Sequence, residues 1–263
     1  MHLINVNTLK LEEFADDINA PSYAILSHRW EDEEVSYKDL RRGHASQRKG
    51  YRKIQLCCKQ AIEARLQYAW VDTCCIDKRS SSQLSEAINS MFRWYQNATV
   101  CYAYLSDVNV NAPPDSSVRV RSASAIGKSQ WFTRGWTLQE LIAPRELEFY
   151  DDNWTCLGTR GYLQDIIAQA TRIPVPILTG KDKPNQYPIA QRMSWASRRK
   201  TTRVEDTAYC LLGIFGVNMP LLYGEGERAF IRLQEEIVSL TPLSFPLTSS
   251  VRVCFQDWYV ACQ

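Results

Sequence analysis

Four short apolar segments separated by helical patterns are the feature that most constrains this fold. Each segment is rich in aromatic or branched residues and does not alternate cleanly with charges. In chain order they are "YAILS" (23–27), "YAWVD" (68–72), "VCYAYL" (100–105) and "ELEFY" (146–150). Such runs are typical of parallel strands that are covered on both faces. We therefore interpret them as the central strands of a sheet.

Amphipathic helical patterns lie between these strands. Residues 51–66 and 82–97 both carry apolar side chains at helical spacing. A third pattern, "RGWTLQEL" (134–141), is stopped by Pro144, whose ring excludes continued helix. Alternating strands and helices imply right-handed crossovers. The sequence therefore predicts an α/β fold, an open parallel sheet flanked by helices.

Beyond the predicted sheet the chain is mostly helical. Helical patterns cover 162–171, 189–199, 204–216 and 226–240, and the third ends at a glycine, as a helix C-cap would. We divide the chain into an α/β core at 1–155, a helical lobe at 156–240 and an atypical tail or linker at 241–263. Segment 109–129 is rich in Pro, Ser and Ala, and is either a functional lid or a disordered loop.

Composition argues against several classes of partner. The 263 residues include 31 basic and 29 acidic side chains, so a net charge of +2 indicates neither nucleic acid nor an anionic membrane as partner. The longest apolar run, at 208–217, is too short to span a bilayer, and the N-terminus is too acidic for a signal peptide. We expect a cytoplasmic protein whose nine cysteines are free thiols.

Polar and aromatic side chains follow the predicted strands at the edge where an open parallel sheet binds ligands. "SHRW" follows the first strand, "DTCCIDK" ends the second, and "RGWTLQEL" lies beyond the third. The candidate binding residues are Ser27, His28, Arg29, Trp30, Asp72, Cys75, Asp77, Arg134 and Trp136. Each also has a purely structural interpretation, such as a hydrogen bond from the histidine, helix capping by the aspartates or a surface salt bridge of the arginine.

The segment "RGWTLQEL" has two distinct helical faces. At about 100° per residue, Trp136, Gln139 and Glu140 share one face, opposite a stripe of Leu138 and Leu141. A tryptophan on a polar face is either half-buried under a neighbouring element or part of a pocket wall.

Several chemistries lack a sequence signature. The adjacent pairs at 57–58 and 74–75 do not have the C-x-x-C spacing of a zinc site, so no metal is expected. Cys75 and His28 could form a nucleophile–base pair on one rim, but no local protease motif supports it. Neither G-x-G-x-x-G nor a Walker-type phosphate loop occurs.

Taken together, these segments resemble the fungal heterokaryon-incompatibility (HET) domain family. "YAILSHRW" (23–30), "AWVDTCCIDK" (69–78) and "WFTRGWTLQEL" (131–141) resemble its three ordered blocks, and residues 194–237 resemble its closing stretch. Glu31 stands where the first block often has Gly, and Lys78 where the second often has Gln. The resemblance covers the chain to about residue 240 and not the tail.

A more distant resemblance to TIR (Toll/interleukin-1 receptor type) domains bears on mechanism. "ILSHRWEDEE" is similar to their first strand and loop, and "GWTLQEL" resembles the W-C-x-x-E segment of TIR enzymes that hydrolyse NAD. At matching positions Trp136 is the motif tryptophan and Glu140 the catalytic glutamate, with Thr137 in place of cysteine. The resemblance implies a cell-death effector of heterokaryon (vegetative) incompatibility that depletes NAD, and an innate-immunity type of role.

The implied partners and the rival functions follow from this resemblance. NAD or a related nucleotide is expected as substrate and not as a cofactor, since a carboxylate stabilises an oxocarbenium-like transition state. Self-association and an upstream sensor or partner protein are also expected. The alternatives are a non-enzymatic TIR-like module that signals by homotypic assembly, and nucleotide transfer or cyclisation at the same site.

Overall fold

The computed structural model describes residues 1–15, 17–110 and 124–240. Within these residues, seven strands form one sheet in the order β2-β1-β4-β3-β5-β6-β7. The strands are β1 (His2–Asn5), β2 (Lys10–Glu13), β3 (Tyr23–His28), β4 (Tyr68–Trp70), β5 (Val100–Tyr104), β6 (Leu147–Tyr150) and β7 (Cys156–Thr159). The predicted tail at 241–263 and most of the predicted lid at 109–129 lie outside the described residues.

The four predicted strands form the parallel centre of the sheet, which confirms the α/β fold class. Strand β3 pairs in parallel with β4 and β5, and β5 pairs in parallel with β6. All six residues of β3 are buried, as expected for a strand that is covered on both faces. The central strands therefore have the order second, first, third, fourth along the chain, with a switch point between β3 and β5.

Three strands with antiparallel neighbours complete the two ends of the sheet and were not predicted. The hairpin β1–β2 adds to β4 on one edge, and β7 adds to β6 on the other. Strand β2 reads "KLEE" and none of its residues is buried. Edge strands of this kind face solvent, so they lack the continuous apolar run by which the central strands are recognised.

Helices connect the central strands and form the lobe. Their bounds are α1 (Tyr37–Arg41), α2 (Tyr51–Glu63), α3 (Asp72–Cys75), α4 (Ser81–Asn97), α5 (124–127), α6 (Thr137–Ile142), α7 (Gln164–Thr171), α8 (Val175–Leu178), α9 (Ile189–Ser194), α10 (Asp206–Tyr209), α11 (Leu212–Phe215) and α12 (Arg228–Ser239). Right-handed crossovers in this strand order place α2 on one face of the sheet, and α4 and α6 together on the other.

Three predicted helices differ in detail from the structure, and the one predicted at 189–199 ends at Ser194. The segment at 204–216 forms two short helices, because the Leu211 N–H donates a hydrogen bond to the Ala208 carbonyl oxygen and closes a tight turn between them. Its glycine end is confirmed, since Gly216 has φ +69°. Helix α6 begins at Thr137 and not at residue 134, because the backbone of Arg134 is extended and forms a bridge with Lys200.

The hydrophobic core continues from the sheet into the lobe. A single cluster of buried side chains includes Ile25 of β3, Leu138 of α6 and Leu212 of α11. Helix α11 packs so closely on α4 that a Cβ at Gly213 would lie 2.1 Å from the Cβ of Phe92. The division of the chain at residue 155 stays a prediction, and a continuous core joins the two sides of it.

Candidate functional site

A cleft of about 260 Å³ lies beyond the carboxyl ends of β3 and β4. Its apolar side is formed by residues of α4 and the segment before it, which are Ile76, Leu84, Ile88 and Met91. Its polar side chains are Asp72, Lys78, Arg134, Glu140, Lys200, Thr201, Thr202, Arg203 and Asp206, and the indoles of Trp30 and Trp136 and the ring of Tyr223 complete it. The cleft thus combines a flat apolar surface with charges of both signs, as small-molecule sites commonly do.

Glu140 is a buried carboxyl group in this cleft. Glu140 is 4% exposed, and its Oε2 accepts a hydrogen bond of 2.5 Å from Ser27 Oγ. The indole Nε1 of Trp131 donates to the same Ser27 oxygen at 3.0 Å. Because an indole N–H only donates, the single hydroxyl proton of Ser27 is directed at Glu140. The end of β3 and the segment before α6 therefore position the carboxyl group together.

The surroundings of Glu140 keep it close to a balance between its two protonation states. Burial and the nearby charge of Asp72 raise its pKa to about 7, against the opposing effects of Ser27, Arg134 and Tyr95. The Tyr95 hydroxyl also donates to the Leu26 carbonyl oxygen at 3.1 Å. A carboxyl group with this pKa can take up or release a proton near neutral pH, which is typical of functional sites.

Helix α6 is buried on all sides, including its predicted polar face. All six of its residues are buried, and the side chain of Gln139 lies in the core region with that of Glu140. The polar face predicted from the sequence is therefore an interior surface. Trp136, the residue that precedes the helix, is partly buried and forms part of the cleft wall.

Both cleft tryptophans donate their indole N–H to a carboxylate. Trp30 Nε1 donates to Asp72 Oδ2 at 2.7 Å, and Trp136 forms a side-chain hydrogen bond with Asp206. Burial raises the pKa of Asp206, although the hydrogen bonds from Tyr223 and Trp136 oppose this. Each indole thus has its ring available to the cleft and its N–H fixed by an acid.

The lobe supplies one side of the cleft, which the candidate residues did not include. Two backbone hydrogen bonds hold Lys200 in place. Its N–H donates to the Thr133 carbonyl oxygen at 2.7 Å, and its carbonyl oxygen accepts from the Gly135 N–H at 2.8 Å. The Tyr223 hydroxyl donates to Asp206 Oδ1 at 2.9 Å, and Arg203 lies 4.6 Å from the Tyr223 ring centroid. Only the similarity of the closing stretch to a known family signalled these residues, since they are far from the strand ends in sequence.

Four of the predicted site residues lie away from the cleft, and a fifth, Ser27, is buried behind its lining. Arg29 is exposed and hydrogen-bonds Gln130. Asp77 pairs with Arg79 at 2.7 Å, and this bond lowers the pKa of Asp77. Cys75, the last residue of α3, is buried, and its sulfur accepts a hydrogen bond from the Val71 N–H at 3.3 Å. These three side chains belong to local structure, whereas Ser27, behind the lining, donates a hydrogen bond to Glu140.

His28 is the fourth, and it lies behind the cleft wall. Its Nε2 is 3.8 Å from both Asp72 Oδ1 and Glu34 Oε1. Burial and the charges of Lys53, Arg134 and Lys78 lower its pKa well below the ordinary value, so the ring is neutral. Neither ring nitrogen has a hydrogen-bond partner among the described residues, so the structure does not form the possible pair with Cys75.

Thr137, at the position of the motif cysteine, is a hydrogen-bonding hub under the cleft. Its hydroxyl accepts from Arg199 Nη1 at 2.9 Å and lies 2.5 Å from the Trp131 carbonyl oxygen, to which it donates. Arg199 also donates to the Arg134 carbonyl at 3.0 Å, and burial lowers its pKa to about 10. The threonine therefore ties the start of α6 to the lobe.

Neither a metal nor a membrane span is indicated by the part of the chain that the structure describes. No group of three or more His, Cys, Asp or Glu side chains in it is arranged to hold a metal ion. No helix in the same residues is both long and apolar enough to cross a bilayer.

This architecture defines an α/β domain with a glutamate-containing cleft at the carboxyl edge of its sheet. Residues 23–124 match the family described as heterokaryon incompatibility protein (HET), and the chain belongs to this HET family. It is 50% identical over 223 residues to the vegetative incompatibility protein HET-E-1 of Podospora anserina. The match covers 82% of this chain but only 16% of that relative. No solved structure matches the fold.

Proposed function

We propose that this HET domain acts in vegetative incompatibility by cleaving NAD at its nicotinamide–ribose bond, with Glu140 as the catalytic residue. The observation that carries the proposal is the buried Glu140 carboxyl group, which shares a cleft with two indoles and four basic side chains. The name of the Podospora relative supports the incompatibility role, and the W-x-x-x-E resemblance supports the reaction.

The chemistry asks for one well-placed carboxylate. The bond from ribose C1′ to the nicotinamide nitrogen breaks, and its electron pair stays on the ring nitrogen, which becomes neutral. The nicotinamide ring is cationic in NAD, so it leaves without a general acid. Positive charge then develops on the ribose, where the Glu140 carboxylate stabilises it. Water adds to C1′ and its proton goes to Glu140 or to solvent.

The basic side chains suit the other half of the substrate. Arg134, Lys200 and Arg203 line the same cleft as Glu140. Guanidinium and ammonium groups bind phosphate oxygens by charge-assisted hydrogen bonds. In our proposal they hold the diphosphate of NAD, which brings the ribose next to Glu140.

The decisive experiment measures nicotinamide release by the purified full chain, free in solution and artificially clustered. We expect release by the wild type and a loss of at least about 100-fold in Glu140→Gln, because the charge that stabilises the transition state is removed. The exposed Glu236→Gln, on α12, is the matched control and should behave like the wild type.

Two results would reject the enzymatic proposal. One is the absence of nicotinamide release by clustered wild type, and the other is equal release by Glu140→Gln. The first result, combined with cell death that persists in Glu140→Gln, would favour a module that signals by assembly. Product analysis distinguishes hydrolysis from cyclisation or transfer, because ADP-ribose is the product of hydrolysis alone. Self-association and an upstream sensor or partner protein are part of the same proposal.

A further inference from the structure

Trp30 carries two cations over its ring at the mouth of the cleft. Lys78 Nζ lies 3.6 Å from the ring centroid, and Arg134 Cζ lies 4.8 Å from it. Both distances are within the range in which the electron-rich face of an indole attracts a cation. The residue is 40% exposed, so the ring is also accessible to a ligand.

Asp72 makes this ring a stronger cation site. Its Oδ2 accepts the indole N–H at 2.7 Å, and a negative acceptor increases the electron density of the ring that donates to it. Its Oδ1 is buried and has no hydrogen-bond partner among the described residues. The negative charge beside the indole is therefore only partly compensated.

The Lys78 ammonium group depends on this ring. No carboxylate of the described chain lies within salt-bridge distance of its Nζ. Lys78 is an exposed residue, and the charged groups of Asp72 and Arg134 are neighbours of its ammonium group. A cation held mainly by an aromatic face is easily exchanged for another cation, provided that the displaced ammonium finds an anion.

We propose that Trp30 and Lys78 form a cation-exchange subsite that selects dinucleotides with a cationic pyridinium ring over those with a neutral ring. This inference rests on the proposed function and names the redox form of its substrate. The pyridinium of NAD replaces the Lys78 ammonium on Trp30, and the ammonium pairs with the diphosphate of the same molecule. NADH carries the diphosphate but not the cation, so only half of the exchange is available to it.

The apolar side of the cleft fits this assignment. Leu84, Ile88 and Met91 supply a surface on which a flat ring can rest, and Trp30 and Lys78 line the same cleft. Glu140 lines it too, so a ring bound here has its ribose within the compartment that contains the carboxyl group. ADP-ribose lacks the ring altogether and would leave Lys78 over the indole.

The test is calorimetric binding to the full chain in the Glu140→Gln background, which prevents turnover. We expect NAD to bind about tenfold more tightly than NADH, the size of a partly desolvated cation–π contact. Trp30→Leu should abolish this preference, and Trp30→Phe should retain part of it because a phenyl ring still has an electron-rich face.

A second measurement isolates the cation from the phosphates. The probe is 1-methylnicotinamide, a pyridinium without a phosphate, titrated into chains with an intact Glu140. Lys78→Met should raise its affinity several-fold, because the competing ammonium is gone. Lys59→Met, at an exposed position on α2, is the matched control and should leave the affinity unchanged. Thermal melting of each variant confirms that it is folded.

Three results would overturn the subsite. They are equal affinities for NAD and NADH, a preference for NAD that persists in Trp30→Leu, and no binding of NAD or of 1-methylnicotinamide. The proposed reaction can fail separately. If 1-methylnicotinamide binds in a Trp30-dependent way but the wild type releases no nicotinamide, the subsite stands and the hydrolysis does not.

Discussion

The cleft has two walls, and each contains a tryptophan beside an aspartate, but the two tryptophans differ in burial and in role. The sheet wall consists of Trp30, Asp72 and Lys78, and the lobe wall consists of Trp136, Asp206 and Tyr223. In each wall an indole N–H bonds an aspartate. Trp30 is exposed and has cations over its ring, whereas Trp136 is partly buried and packs against the core.

This difference separates binding from stability. An exposed indole contributes little to folding but offers its ring to a ligand. A partly buried indole contributes packing, and its hydrogen bond to Asp206 joins α6 to the lobe. We therefore expect changes in the sheet wall to alter ligand affinity and changes in the lobe wall to alter the free energy of unfolding, with Glu140 between them sensitive to both.

The largest expected effect is at Glu140. In the folded chain its pKa is raised to about 7 from an ordinary 4.5, so this group's contribution to the free energy of unfolding falls as pH rises from about 4.5 to 7. Gln at this position is neutral at every pH. Glu140→Gln should therefore be more stable than the wild type above pH 7, by about 3 kcal/mol, and the gain should fade towards pH 4.5.

Urea denaturation at pH 5 and pH 8 measures this gain. The exposed Glu236→Gln serves again as the control and should show no pH-dependent gain. A gain of the same size at both pH values would contradict a buried, partly protonated Glu140.

The next effect compares the two indoles directly. Trp136→Ala should lower the free energy of unfolding by about 2 kcal/mol, because it removes part of a packed surface and leaves Asp206 with Tyr223 as its remaining side-chain donor. Trp30→Ala should cost less than about 1 kcal/mol. Chemical denaturation of the two variants side by side decides the point. Equal losses would show that the walls do not differ as described.

The pH dependence of the proposed reaction is the third effect. The carboxylate form of Glu140 is the active one, so kcat/KM for nicotinamide release should rise with pH and level off above a midpoint near pH 7. Between pH 6 and pH 8 the increase is roughly tenfold, since the ionised fraction changes by that factor. A rate that falls over this range would show that protonated Glu140 is the active form.

The smallest effect concerns the join between the walls. A Cβ at Gly135 would lie 2.5 Å from Thr201 Cγ2, so Gly135→Ala must displace that side chain beside Lys200. We expect a loss of about 1 kcal/mol in the free energy of unfolding and a weaker affinity for NAD. Gly180→Ala is the comparison, because no atom of the described chain lies within 4 Å of its new Cβ. Any loss in its free energy of unfolding comes from the backbone strain of a non-glycine residue at φ +72°. An unchanged NAD affinity in Gly135→Ala would show that displacing Thr201 of the lobe does not affect NAD binding.

The central sheet was predictable because its strands are buried on both faces and therefore have a continuous apolar pattern. Strands β2 and β7 have no such pattern, since neither contains a buried residue, and β1 has only two, Leu3 and Ile4. The site was predictable in part for the same reason. Ser27 lies near the end of β3, and Trp30 and Asp72 follow strand ends, so the strand pattern reveals all three positions. Glu140 follows from the spacing of one short helix and a resemblance.

Other parts of the site were not predictable from local patterns. Arg29, Cys75 and Asp77 are close in sequence to lining residues but point into local structure, because successive residues of a turn face different directions. Lys200, Asp206 and Tyr223 are distant in sequence from the strand ends. Backbone hydrogen bonds between residues 133–135 and residue 200 bring this part of the lobe to the cleft.

The sequence by itself determined the α/β class, the HET family and the identity of the central glutamate in "RGWTLQEL". These depend on periodicity and on residue order, which a single chain displays directly. Only the tertiary structure decided that the polar face of that segment is buried, that its tryptophan bonds an aspartate of the lobe, and that Lys78 lies over Trp30. Burial and cation–π contact depend on distances between segments far apart in the chain, and those distances exist only once the sheet and the lobe have packed together.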